Sequence, residues 1–249
     1  MGKIIAVGGG EIGRPGTDRE TLPIDKEIVK LSGKAHPHLL FIGTASDDSQ
    51  GYFNVIEKYF GKRLGCRVEA LRLLKEHLSR KKLERKIFGA DIIYVGGGNT
   101  LKMLLRWRRL GVDSLLRQAY KKGIVLSGVS AGSICWFRGG NSDSRKFRNP
   151  KADYIKISAL GIIPALHSPH YDKEPQRAPS LKRMMKKTPG VAIALENCTA
   201  LEVIDNQYRL LASKKNVHGY KIYWKQGAYH KEKIAPSKNM RPLQELVSK

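Results

Sequence analysis

The chain has 249 residues, 41% of them hydrophobic, and no apolar run long enough to cross a membrane, so it is sized for one large α/β domain. Lys and Arg number 46 against 22 Asp and Glu, a net charge of +24 that attracts anions, yet no basic arm, zinc finger or RNP-like aromatic box collects it into a nucleic-acid module. Three widely spaced cysteines, Cys66, Cys135 and Cys198, exclude a disulfide framework or a zinc ribbon and fit a cytoplasmic protein.

In chain order, residues 3–7 form an apolar first strand rather than a signal peptide. The strand ends in Gly8-Gly9-Gly10-Glu11-Ile12-Gly13, which satisfies G-x-G-x-x-G in form only. Arg14-Pro15-Gly16 blocks the helix that a dinucleotide site needs, and the second strand, 38–43, runs into Thr44-Ala45-Ser46 without an acid at its tip. Helices are predicted at 23–32 and 50–64, a strand at 67–73, a basic helix at 79–88 and a strand at 91–95. Gly96-Gly97-Gly98-Asn99-Thr100 follows, with Asn99 or Thr100 capping a helix over 101–109, and a second helix spans 112–121. Strands alternating with helices spell a mostly parallel sheet covered on both faces, whose ligands bind beyond the carboxyl ends of the strands. Both tri-glycine turns, residues 44–46 and Ser130 lie at such ends.

Ser130 follows the strand 123–126 within Gly128-Val129-Ser130-Ala131-Gly132 and precedes a helix over 131–137. This is a G-x-S-x-G elbow, in which small neighbours allow a sharp turn that lifts a hydroxyl above the sheet. Beyond it, 138–159 is polar and aperiodic and is read as a loop. Strand-like segments at 160–164 and 165–168, a basic helix at 178–187, a strand at 190–195, a hairpin of 200–204 with 208–212 and a last strand at 217–224 complete the core. Residues 228–249 read as a basic, mobile tail of a single domain, 1–249, that could be a monomer or a homodimer.

A serine hydroxyl needs a base, and the base needs an orienting group. Of seven histidines, His170, between Pro169 and Tyr171 in a loop downstream of the elbow, is the chosen base; Asp143, Asp172 and Glu196 are the candidate acids. Glu196 closes an apolar strand and would project at the functional edge. The order Ser, His, Glu differs from that of α/β-hydrolases, which disfavours that family. A metal site of His167, His170, Asp172 and Glu174 is disfavoured by proline-broken spacing.

Jointly, Val95-Gly96-Gly97-Gly98-Asn99-Thr100, the elbow at Ser130, Pro169-His170 and Leu195-Glu196-Asn197 resemble the serine peptidase family of dipeptidase E (aspartyl dipeptidase) and cyanophycinase over about residues 3–211. The resemblance implies a class I glutamine amidotransferase-like α/β/α sandwich with a C-terminal hairpin and a triad of nucleophile Ser130, base His170 and carboxylate Glu196. It implies an oxyanion hole from the N–H groups of Gly98 and Ala131, with Asn99 holding the glycine turn or the substrate. Arg177, near the position where dipeptidase E binds an amino-terminal aspartate, is carried over as a carboxylate-binding residue. Amidotransferases carry cysteine at the elbow, and Cys135 is five residues too far along to replace Ser130. The implied enzyme cleaves short, preferably acidic peptides without cofactor or metal. The alternatives are a cyanophycinase-like hydrolase of β-aspartyl polymers and a catalytically silent binder of nucleic acid or another polyanion through the basic surface.

Overall fold

A computed structural model describes residues 2–249. Its strands are β1 (Lys3–Val7), β2 (His38–Ile42), β3 (Arg67–Leu71), β4 (Ile92–Val95), β5 (Val125–Val129), β6 (Phe137–Ser142), β7 (Ile155–Ser158), β8 (Ile163–Ser168), β9 (Val191–Leu195), β10 (Thr199–Ile204), β11 (Gln207–Ala212), β12 (Gly219–Lys225), β13 (Ala228–Ile234) and β14 (Arg241–Pro242). Its α-helices are α1 (Leu22–Leu31), α2 (Gln50–Ile56), α3 (Arg80–Phe88), α4 (Thr100–Leu110), α5 (Val112–Lys121), α6 (Ala131–Ile134), α7 (Arg177–Lys186) and α8 (Leu243–Val247). The helix begun by α2 continues as π-helical turns over Glu57–Arg63.

An eight-stranded sheet has the order β14-β11-β10-β1-β5-β4-β2-β3. Its middle, from β1 through β5, β4 and β2 to β3, is parallel. These strands are near-continuous apolar runs because helices bury both of their faces. Ile5, Val7, Leu39, Phe41, Ile92 and Tyr94 pack toward α1, α2 and the π-helical turns. Ile4, Ala6, Leu40, Ile42, Ile93 and Val95 share the opposite core with α3, α4, α5 and α6. This is the three-layer α/β/α arrangement expected.

A second sheet, absent from the sequence-based picture, has the order β13-β12-β9-β8-β6-β7. Its outer face takes Leu181 and Met185 of α7, while Val191, Ile193 and Leu195 extend the main core. Residues 138–159 are therefore not one loop, since most of β6 and all of β7 fall among them. The presumed tail also holds structure: β13 pairs along β12 and α8 buries Leu246. No helix of the described residues is long and apolar enough to cross a membrane.

One buried acid in α1 carries a consequence for stability. Asp25 is fully buried, and its Oδ2 accepts hydrogen bonds from Thr21 (2.7 Å) and Tyr59 (2.8 Å) while Oδ1 has no partner. Burial, opposed by those two hydrogen bonds, pushes its carboxyl up to about 7. The native state therefore binds the extra proton between the unfolded pKa of about 3.9 and about 7, so this group's contribution to stability falls as pH rises through that window and levels off above it. Three pKa units correspond to about 4 kcal/mol at the outside. Thermal melts of the native protein and Asp25→Asn from pH 4 to pH 8 should show the variant gaining relative to the native chain as pH rises. A constant difference between the two would contradict the assignment.

Candidate active site

The carboxyl ends of β1, β4 and β5 meet around a cavity of about 770 Å³ lined by Gly97, Gly98, Ser130 and His170. Ser130 stands at the β5–α6 turn with φ 56° and ψ −112°, an uncommon conformation for a residue with a side chain. The flanking glycines are there for space. A Cβ on Gly128 would lie 2.6 Å from the Val95 carbonyl oxygen, and one on Gly132 would lie 2.0 Å from it. The elbow is thus pressed directly onto the end of β4. The Ser133 hydroxyl, 2.7 Å from the Ser130 carbonyl, braces the turn from below.

Behind Ser133 sits a second histidine, on strand β8. His167 is fully buried, stacked on Phe137, with Nδ1 donating to the Ile193 carbonyl (2.9 Å) and Nε2 2.9 Å from Ser133 Oγ. Burial lowers its pKa to about 3, so it is a neutral strut of the elbow.

His170 faces the cavity instead. Its backbone has φ 51°, and its N–H donates to the Gly8 carbonyl (2.9 Å), which ties the loop after β8 to the first glycine turn. Burial lowers its pKa, partly offset by a side-chain hydrogen bond. The partner is Asn197: His170 Nδ1 lies 2.7 Å from Asn197 Oδ1. With the amide oxygen as acceptor, Nδ1 carries the proton and Nε2 keeps its lone pair. No hydrogen bond joins Ser130 Oγ to His170 in this structure; such contacts in ligand-free enzymes often tighten only with substrate.

Glu196, expected as the orienting carboxylate, is turned away. Its Oε2 accepts from the His218 N–H (2.7 Å) and its Oε1 from the Tyr220 hydroxyl (2.9 Å), so β12 claims it. Asp172 supports the pair from outside by accepting the Asn197 N–H at 2.7 Å. Glu174 pairs with Arg177 (3.0 Å), so the four residues weighed as metal ligands have separate duties.

Gly98 has φ 133° and would place a Cβ 2.3 Å from the Ala45 carbonyl oxygen. Its N–H and that of Ala131 have no acceptor among the described residues. Asn99 caps α4, accepting from the Lys102 N–H (3.0 Å) and donating to the Ser144 carbonyl (3.2 Å), so it holds the glycine turn and does not line the cavity. Arg177 is also removed from the cavity. It is 1% exposed, donates to the Asn141 carbonyl (2.7 Å) and stacks on Tyr154 at 4.9 Å, with Nε unpartnered. A side chain buried this way cannot reach a substrate carboxylate without rearrangement.

Comparisons with known proteins show the family and the fold. The model of peptidase family S51 matches residues 4–211. The chain belongs to peptidase family S51. This S51 peptidase is 34% identical over 224 residues to "uncharacterized peptidase YgaJ" of Bacillus subtilis, covering 89% of this chain and 92% of that one. A 91-residue stretch is 31% identical to "Peptidase E" of Streptomyces coelicolor, covering 34% of this chain and 35% of the other. The crystal structure of a peptidase from an acI-B1 Actinobacterium has the same fold, with a TM-score of 0.72 at 18% identity over 97% of this chain and 96% of that one. A putative peptidase E from Listeria monocytogenes superposes with a TM-score of 0.64 at 22% identity, over 85% and 98%.

The S51 peptidase has cavity residues that sequence reasoning passed over. Tyr52 and Tyr94 form an aromatic wall, and Arg14, bound to Glu11 (2.7 Å), stands at the rim. Asn197 stands beside Glu196 in the Leu195-Glu196-Asn197 segment, and nothing in its own sequence context separates it from Glu196. An exchange tests the histidine pair. A carboxylate beside imidazolium stabilises the charged form more than an amide does. Asn197→Asp should therefore raise the His170 pKa and move the acid limb of kcat/KM up by about one pH unit or more. Glu196→Gln should leave that limb in place, and the reverse pattern would return the orienting role to Glu196.

Proposed function

We propose that this peptidase is serine-type and cleaves short peptides through an acyl-enzyme on Ser130. The observation that carries this reading is the shared cavity of Ser130, held at φ 56° on the elbow, and His170, held by Asn197. His170 Nε2 takes the Ser130 proton as Oγ attacks the scissile carbonyl. The tetrahedral oxyanion then forms against the free N–H groups of Gly98 and Ala131, fixed donors that need no reorganisation. Collapse expels the amine, which receives the proton from His170, and a water activated by the same imidazole releases the acid product.

The proposal on specificity differs from the one implied by resemblance. An amino-terminal aspartate would need a free cation at the scissile end, and Arg177 is buried and engaged. The walls near Ser130 are Tyr52, Tyr94, Val55 and Val129, surfaces for apolar side chains and peptide backbone.

The test is a serine-directed fluorophosphonate followed by peptide mapping, alongside a panel of Asp-Xaa, Leu-Xaa and tripeptide substrates. The expected result is an adduct on Ser130 and parallel loss of peptide hydrolysis. Hydrolysis that survives complete labelling of Ser130 would overturn the mechanism, and cleavage confined to β-aspartyl polymers would favour the cyanophycinase-like alternative.

A further inference from the structure

The Ser130 cavity does not end at its rim. It shares Ile12, Arg14, Pro15, Gly51 and Val55 with a second groove of about 870 Å³ that runs along the π-helical turns. None of the residues lining the second groove is acidic, and five are basic: Arg14, Arg19, Lys58, Lys62 and Arg63. Arg14 is neutralised by Glu11, but Arg19, Lys58, Lys62 and Arg63 form no ion pair among the described residues.

The backbone of the groove is itself unusual. Lys58, Lys62 and Arg63 all sit in the π-helical segment, where the spacing of four and five residues puts them on one face. Like charges stacked at that spacing repel and cost stability. π-Helical insertions in α-helices are rare and are frequently found at functional sites. A ligand carrying negative charge along the groove removes the repulsion.

We infer that this groove is a second substrate subsite, which selects peptides bearing carboxylates several residues from the bond cut at Ser130. The inference rests on the serine-peptidase reading above and names its substrate class: acidic oligopeptides, seated by backbone and apolar contacts beside Tyr52 and Tyr94 and by ion pairs along the π-helical turns. A peptide fits better than a nucleic acid because the groove joins a cavity built around a peptidase nucleophile.

The experiment compares hexapeptides of equal length that carry Asp and Glu, or their amides, distal to the scissile bond on either side. The kcat/KM ratio of acid to amide should be about tenfold or more in low salt, the effect of two or three exposed charge pairs, and should shrink in 0.5 M NaCl. In Lys58→Gln/Lys62→Gln/Arg63→Gln, the ratio should fall toward one, through KM. Binding of fluorescein-labelled forms of the same peptides to Ser130→Ala protein gives a reading that needs no catalysis. Equal hydrolysis and equal binding of acid and amide peptides would overturn the subsite and leave the serine peptidase intact. Selective binding of acidic peptides without hydrolysis in the native protein would keep the subsite and overturn the catalytic reading. A generic RNA competing tenfold better than the acidic peptide would reassign the groove to polyanions and reject the proposal.

Discussion

Ser130→Ala should lower kcat by roughly 10⁴ to 10⁶, the scale on which removal of a nucleophile acts when its partners work only through it. Its melting temperature should not change, because alanine keeps the Cβ and with it the cost of φ 56° and ψ −112°. Ser130→Gly removes the Cβ. It should be equally inactive but more stable by about 1–3 kcal/mol, the usual cost of holding a side chain in a sparsely populated backbone region. In a chain of this size that is a rise of a few degrees in Tm. Activity together with thermal melts separates the two claims. If Ser130→Ala keeps activity within tenfold of the native enzyme, the nucleophile lies elsewhere. If Ser130→Gly melts no higher than Ser130→Ala, the elbow holds no strain to release.

The elbow was legible because its requirements are local. A turn pressed onto the Val95 carbonyl needs glycine on both sides of the serine, and glycine spacing is written directly in the chain. The parallel strands were legible for a similar reason, since burial on both faces leaves runs such as Ile92–Val95 wholly apolar. The orienting group was not legible. Glu196 and Asn197 are neighbours at one strand end, and which of them meets His170 depends on how β9 leaves its partner β12. The Glu196 N–H still donates to the His218 carbonyl (3.2 Å), so Glu196 belongs to the β12 side; Asn197 is already past the last pair and turned by Cys198 at φ 64°.

The second sheet was hidden by the same kind of non-local contact. β6 contains Gly139 and Gly140, which read as loop residues, yet a Cβ on Gly139 would lie 2.0 Å from the Ile157 carbonyl oxygen and one on Gly140 2.6 Å from that of His167. The glycines mark close strand approach, which is visible only once β7 and β8 are in place. β13 reads as a tail because the consecutive charges of Lys231, Glu232 and Lys233 break any strand-like alternation in Ala-Tyr-His-Lys-Glu-Lys-Ile. It is the edge of its sheet, where charged side chains are expected and protect against further pairing. Arg177 misled for a third reason. Sequence shows a guanidinium near the right place and cannot show that Asn141, Glu174 and Tyr154 enclose it.

Gly9→Ala should remove most activity without touching a reacting group. The first tri-glycine turn has the spacing of a dinucleotide loop, but here its glycines make room for the His170–Asn197 pair. A Cβ on Gly9 would lie 2.1 Å from Asn197 Oδ1 and 2.3 Å from His170 Nδ1, inside the 2.7 Å contact between them. The turn cannot retreat, because the Gly8 carbonyl accepts the His170 N–H and the Gly9 carbonyl accepts the Cys198 N–H, both at 2.9 Å. The side chains must separate instead. Losing the tautomer and position of the base should cost about 10² to 10³ in kcat with a small change in KM, and overpacking should cost about 1–3 kcal/mol of stability. Asn197→Ala vacates the space that the new methyl group needs. The double variant should therefore be more stable than the sum of the two single changes predicts, with a coupling of about 1 kcal/mol, while staying as slow as Asn197→Ala alone. Strict additivity in stability, or a Gly9→Ala enzyme within twofold of native kcat, would mean that the glycine turn does not shape the histidine pair.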